Sequence, residues 1–193
     1  LMQGVVGQFV KEDVAIDVFK TGRGRPWGEH HECCFCGTER FFRPAYAGHL
    51  LDEWIPAMSG VEEKLKMGAK VADIGCGLGT SSMLMAEQYP NSTIHAFDFH
   101  EPSIEEAKKR AKEKGLSNLE FFVSDAAAIP NESYDLACIF DAWHDMGDPV
   151  GIAKSIKETL ADDGTFMVVE PMALDGLKNC LLYTSPSPRD ISR

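Results

Sequence analysis

The sequence predicts an α/β fold: a doubly wound, mostly parallel sheet of about five strands, preceded by an N-terminal helical segment. Three observations carry that expectation. From residue 70 onward, short apolar runs alternate with stretches of helical periodicity, the pattern of βαβ units. The first apolar run feeds directly into a glycine-rich turn, DIGCGLGTSS (73–82), where doubly wound sheets open onto a ligand. The segments between strands are long enough for right-handed crossovers, which place helices on both faces.

Taken in order, Val5–Phe19 has helix-compatible apolar spacing, and the Gly- and aromatic-rich stretch 21–42 reads as a loop. Arg43–Met58 reads as a helix with Tyr46, Leu50 and Trp54 four residues apart, a stripe that points to packing rather than a ligand box. KVADIG (70–75) is the first strand, Gly79–Tyr89 a helix, and TIHAFDF (93–99) the second strand. Ser103–Gly115 is a helix, with Ser103 and Glu106 spaced as a capping box and Gly115 as its stop. LEFFVSD (119–125) and YDLACIFD (134–141) are strands three and four, and Pro149–Leu160 is a helix. Asp163-Gly164 then turns the chain into a fifth strand, TFMVVEP (165–171).

Three segments follow from this pass. Residues 1–69 form a helical and linker segment expected to cover the site, 70–179 form the ligand-binding domain, and 180–193 are set apart. CLLYTSPSPRD (180–190) breaks the composition and looks like a translated sequencing-library adapter, so 180–193 is expected to be a non-native tail. Position 1 is Leu, and the natural chain is expected to continue at both ends.

Net charge is −11, and the one basic cluster, KKRAKEK (108–114), lies among glutamates spaced for i, i+4 pairs. That disfavours nucleic-acid binding, which wants a positive surface. No apolar run approaches the ~20 residues that span a bilayer, and no signal peptide is evident. The six cysteines include adjacent and C-x-C spacings, unlike a secreted disulfide framework, so a cytoplasmic location is expected.

The chemistry-bearing residues cluster at strand ends. Gly75, Gly77 and Gly79 give G-x-G-x-G rather than the dinucleotide spacing G-x-G-x-x-G, which disfavours a nicotinamide-dependent oxidoreductase. Asp98 ends the second strand 19 residues after Gly79, where a carboxylate can accept both hydroxyls of a ribose. Ser124, Asp125 and Ala126 end the third. FDAWHDMGDP (140–149) follows the fourth and offers His144 as a base, a cap or a metal ligand. Asp141, Asp145 and Asp148 stand beside it, at a spacing that is not diagnostic for a metal, and none is expected. HHECCFC (30–36) has no C-x₂-C pair and reads as incidental loop composition rather than a zinc site.

VADIGCGLGT, FDFHEPSIEEAKKRA, FVSDAAAIP and ETLADDGTFMVVEP in combination resemble a class I S-adenosylmethionine-dependent methyltransferase over residues 70–171. The resemblance implies a Rossmann-like sheet of seven strands in the order 3-2-1-4-5-7-6, with five visible here and an open edge at the fifth. It implies S-adenosyl-L-methionine as cofactor, its methionine part held by Asp73 and the turn Gly75, Cys76, Gly77, Gly79 and Thr80. Asp98 with Phe99 would bind the ribose, Ser124, Asp125 and Ala126 the adenine, and Asp141 would stand at the cofactor edge. FFRPAYAGHLLDEWIPAMSGVEEKL resembles a bacterial-type subfamily with an N-terminal winged-helix domain that dimerises, which implies a homodimer of the intact protein.

AWHDMGD resembles the L-H-D-W-x-D stretch of small-molecule O-methyltransferases, in which the His is the general base; Glu170 matches the acidic residue that orients it. Met146-Gly147 departs from that pattern. The expected activity is methyl transfer to a small aromatic or hydroxylated acceptor. A non-catalytic S-adenosylmethionine-binding regulator is the alternative from another class.

Overall fold

The computed structural model describes residues 2–171. The apolar runs form five parallel strands: β1 (Lys70–Ile74), β2 (Thr93–Asp98), β3 (Leu119–Val123), β4 (Tyr134–Phe140) and β5 (Leu160–Val169). Their order is β3-β2-β1-β4-β5, as the resemblance implies. Successive side chains of a strand point to opposite faces, and the sheet is apolar on both. One face carries Val71, Ile94, Leu136 and Cys138 under helices α4 (Val61–Met67), α5 (Thr80–Gln88) and α6 (Glu101–Lys114). The other carries Ala72, Ile74, Ala137 and Ile139 under Ile152 and Ile156 of α7 (Pro149–Thr159). Each fully buried aliphatic chain contributes about 1.5–3 kcal/mol, so the double coverage fixes which strand ends meet.

The N-terminal segment folds as α1 (Met2–Val10), α2 (Glu12–Thr21) and α3 (Glu32–Ala45). Helix α3 continues through Pro44 into a wider-turned stretch, Tyr46–Trp54. Pro44 removes one helix donor just before the winding changes. Tyr46 and Leu50 are buried in the core, as the aromatic stripe predicts.

Three elements differ from expectation. The second half of the loop expected over 21–42 is helix α3, capped by His31, whose Nδ1 accepts from Cys33 N at 3.2 Å. Gly37, a loop signal in isolation, lets α3 press against α1: a Cβ there would lie 2.5 Å from Gly4 N. Tertiary packing overrides local propensity at this crossing. Helix α6 begins at Glu101, two residues early, with Pro102 in its first turn. Ser103 Oγ bonds His100 Nδ1 at 2.8 Å instead of closing a capping box. Finally, β5 starts at Leu160, and Asp163-Gly164 falls inside a register shift between Tyr134 and Leu136. The expected tail at 180–193, with Cys180, lies outside the described residues. Among the described residues, no helix is long and apolar enough to cross a membrane.

Candidate active site

The carboxyl ends of β1, β2 and β4 open onto a cavity of about 980 Å³, roofed by residues of the N-terminal segment. That volume stands at the upper end of the roughly 300–1,000 Å³ of small-molecule sites, room for two ligands side by side.

The glycine turn forms its floor. Gly75, with φ +75°, packs so closely that a Cβ would sit 2.9 Å from Ala142 Cβ. The N–H groups of Gly75 and Cys76 both donate to Phe97 O, at 2.8 and 3.0 Å, pinning the turn to the end of β2. Gly77, φ +52°, meets nothing within 4 Å of a built Cβ, so a ligand can approach its backbone. Cys76 also lines the cavity, and burial pushes its thiol well up, away from thiolate chemistry.

Asp98 is nearly buried and held from two sides. Its Oδ2 accepts from Gly77 N and its Oδ1 from His100 N, both at 2.8 Å. Each carboxylate oxygen offers two acceptor positions, so these bonds orient the group and leave capacity for two more donors. Phe99, Ser124, Asp125 and Ala126 line the same wall. Asp125 Oδ1 accepts from Ala127 N at 2.8 Å, which fixes its carboxylate at the end of β3.

Two residues expected at the ligand stand behind this wall. Asp73 is fully buried and does not line the cavity. Its Oδ2 accepts from Ser81 Oγ (2.7 Å) and Ser82 Oγ (2.6 Å), so it grips the first turn of α5. Burial raises its carboxyl to about 6 against the pull of those two bonds, with the Asp98 charge adding to the rise. Gly79 is likewise outside the lining: with φ +75°, it brings α5 against Phe121, whose ring would be 2.7 Å from a Cβ. The strand-to-helix turn needs both residues for packing, whatever ligand it serves.

The β4 side is built differently. His144, on the short turn Trp143–Asp145, is half exposed. Its Nδ1 lies 2.6 Å from Glu170 Oε2. The other oxygen of Glu170 accepts from Ala142 N (3.1 Å) and Trp143 N (2.7 Å), so Glu170 ties the loop down and turns the imidazole. Burial pulls His144 down, but the Glu170 bond and the charges of Asp145, Glu170 and Asp141 outweigh it and leave the ring raised. His144, Asp141 and Asp145 line the cavity, while Glu170 stands behind them. Asp141 has φ +51°, uncommon for a non-glycine residue. Burial pushes its carboxyl up to about 6, eased by His144 and increased by Glu170 and Asp145.

Ligand atoms of Asp141, His144 and Glu170 lie within 4.8 Å of one another, the one such His/Cys/Asp/Glu grouping among the described residues. Asp148 is elsewhere: its Oδ1 caps α7 by accepting from Gly151 N at 2.9 Å. HHECCFC does not converge on a shared point.

The sequence reading missed Glu39. It lines the cavity and accepts from Thr80 Oγ1 at 2.8 Å, tying the roof to the first turn of α5. Burial raises its carboxyl, but bonds from Arg43 and Thr80 outweigh that and leave it lowered. Glu39 and Arg43 are an i, i+4 pair, a helix signal hidden by the loop assignment. Trp27 also lines the cavity and was not singled out.

The sequence matches a family described as "Methyltransferase domain" over residues 65–186. It is 28% identical over 171 residues to a sterol 24-C-methyltransferase of Aspergillus fumigatus, covering 86% of this chain and 42% of that protein. It is 34% identical over 103 residues to a ubiquinone biosynthesis O-methyltransferase of Actinobacillus pleuropneumoniae, covering 50% of this chain and 43% of that protein. Among solved structures it resembles PKMT2 from Rickettsia typhi in complex with AdoHcy. That match has TM-score 0.50 and 26% identity, and covers 54% of this chain and 21% of that one. The chain spans about two fifths of the length of these curated relatives.

Proposed function

The chain belongs to the methyltransferase domain family, of the class I S-adenosylmethionine-dependent type, and on that premise we propose that it methylates a small-molecule acceptor with His144 as general base. The donor set suits the cofactor: Asp98 keeps spare acceptor capacity for ribose hydroxyls, Gly77 offers open backbone, and the carboxylate-rich wall favours a positively charged sulfonium. S-adenosylmethionine, when bound, supplies an electrophilic methyl group on a cationic sulfur. Asp98 and Phe99 would hold the ribose, and Asp125 and Ala126 the adenine. The turn Gly75–Gly77 would hold the methionine part, with Thr80 beside it, and Asp73 would act through α5. The N-terminal segment acts as a cover that excludes water.

The observation that carries the base assignment is the 2.6 Å contact of His144 Nδ1 with an anchored Glu170. That contact places the ring proton on Nδ1 and leaves Nε2 free to accept. An acceptor hydroxyl would give its proton to Nε2 as its oxygen lone pair forms the new bond to carbon. The S–CH₃ electron pair stays on sulfur, so charge balances with a neutral thioether and an imidazolium facing Glu170. Glu170 acts through His144 and is a positioning residue.

The test is His144→Ala with a panel of hydroxylated aromatic acceptors, reading S-adenosylhomocysteine release. Turnover should fall about 10²–10⁴-fold, the usual weight of a positioned base, while S-adenosylhomocysteine binding changes less than about twofold. Unchanged turnover would remove the base assignment.

A further inference from the structure

Arg25 is a residue on the cavity wall whose bonding is left incomplete. It is the only lysine or arginine in the lining among the described residues, against five carboxylates: Glu39, Asp98, Asp125, Asp141 and Asp145. Its partners are neutral. Nη2 donates to Glu29 O at 3.2 Å and Nη1 reaches Gln8 Oε1 at 3.5 Å, while Nε is buried with no acceptor. His30 Nδ1, on the same wall, is also buried without a partner. Around them the wall is aromatic: Trp27 meets Phe35 edge-on at 5.2 Å, and Tyr46 lies 5.4 Å from Phe140.

A part-buried guanidinium with its Nε unpartnered and only neutral acceptors keeps a planar fork suited to a carboxylate. A carboxylate entering an acid-lined space is repelled unless a cation receives it. We infer that Arg25 seats a carboxylate and that the methyl acceptor carries it, making the acceptor an apolar, aromatic-lined acid. This rests on the methyl-transfer reading. The other source of such a group is the methionine end of the cofactor. Every bond of Arg25 goes to the N-terminal segment and none to the glycine turn that receives that end, which favours the acceptor.

The test is calorimetric titration of the chain with benzoate, 4-hydroxycinnamate and decanoate and with their methyl esters, with and without S-adenosylhomocysteine. At least one acid should bind about tenfold more tightly than its ester, and Arg25→Gln should reduce that ratio to within about twofold. Arg25→Lys, which keeps the charge and loses the fork, should retain part of the preference. Both variants should bind S-adenosylhomocysteine within about threefold of the parent. The inference is overturned if the parent prefers no acid, or if the preference survives Arg25→Gln. It is equally overturned if Arg25→Gln weakens S-adenosylhomocysteine about tenfold or more without altering the acid-to-ester ratio. That last result would give Arg25 to the cofactor's carboxylate. A parent that fails to bind S-adenosylhomocysteine counts against the methyl-transfer reading, and the ligand-free titrations still judge Arg25.

Discussion

On the β1–β3 side of the cavity, the ligand-facing groups are set by backbone. Gly75 and Cys76 are pinned to Phe97, and Asp98 is held by the N–H groups of Gly77 and His100. On the β4–β5 side, function-bearing groups are set by side chains that come from far apart. His144 takes its orientation from Glu170, 26 residues on. The contrast has a physical sense. A nucleoside-binding wall can be built from one turn and two strand ends, whereas an acceptor wall needs groups adjustable by substitution without moving the sheet. Substitutions on the first wall should therefore register in stability and cofactor affinity, and those on the second in rate and pH dependence.

Gly79→Val should break the first wall most strongly. A β-branched residue at φ +75°, with its Cβ 2.7 Å from the Phe121 ring, combines backbone strain with overpacking. The cost should be about 3 kcal/mol or more, read by urea denaturation. A loss under about 1 kcal/mol would mean that α5 has room the packing does not indicate.

Glu170→Gln probes the second wall. His144 must be neutral to accept a proton, and the raised ring places the acid limb of turnover above the ordinary imidazole value of about 6.5. Removing the Glu170 charge lowers the ring, so the acid limb should move to lower pH, while turnover at alkaline pH falls about tenfold as the ring loses its orientation. A pH profile that stays in place would detach Glu170 from the base. The same raised ring contributes stability below about pH 6.5 that is lost as pH rises through its folded value.

Asp148→Ala should have the smallest effect. It removes the cap on α7, worth about 1 kcal/mol, and should lower the melting temperature without altering cofactor affinity. A clear loss of affinity would place Asp148 nearer the ligand than its bond to Gly151 suggests.

The contrast between the walls also decided what could be read from sequence. The turn 73–82 and Asp98 are local signals, and the five strands followed from apolar runs, while their order followed from the resemblance. Most of α3 was hidden because Gly37, which looks like a loop residue, is needed where α3 crosses α1 at Gly4. Losing that helix concealed Glu39. Asp73 was legible as important but not as a packing residue, because nothing in the spacing of the motif shows that Ser81 and Ser82, at its far end, turn back onto the Asp73 carboxylate. The His144–Glu170 contact could be anticipated only through resemblance, since no periodicity links residues on two different strand ends.

Whether this cavity receives S-adenosylmethionine through Asp98 is open to direct measurement. Calorimetric titration with S-adenosylhomocysteine and with NAD, on the parent chain and on Asp98→Ala, tests it directly. The expected result is saturable one-to-one binding of S-adenosylhomocysteine, weakened about a hundredfold or more by Asp98→Ala through loss of charged hydrogen bonds to both hydroxyls, and no response to NAD. Saturable NAD binding with no response to S-adenosylhomocysteine would contradict it.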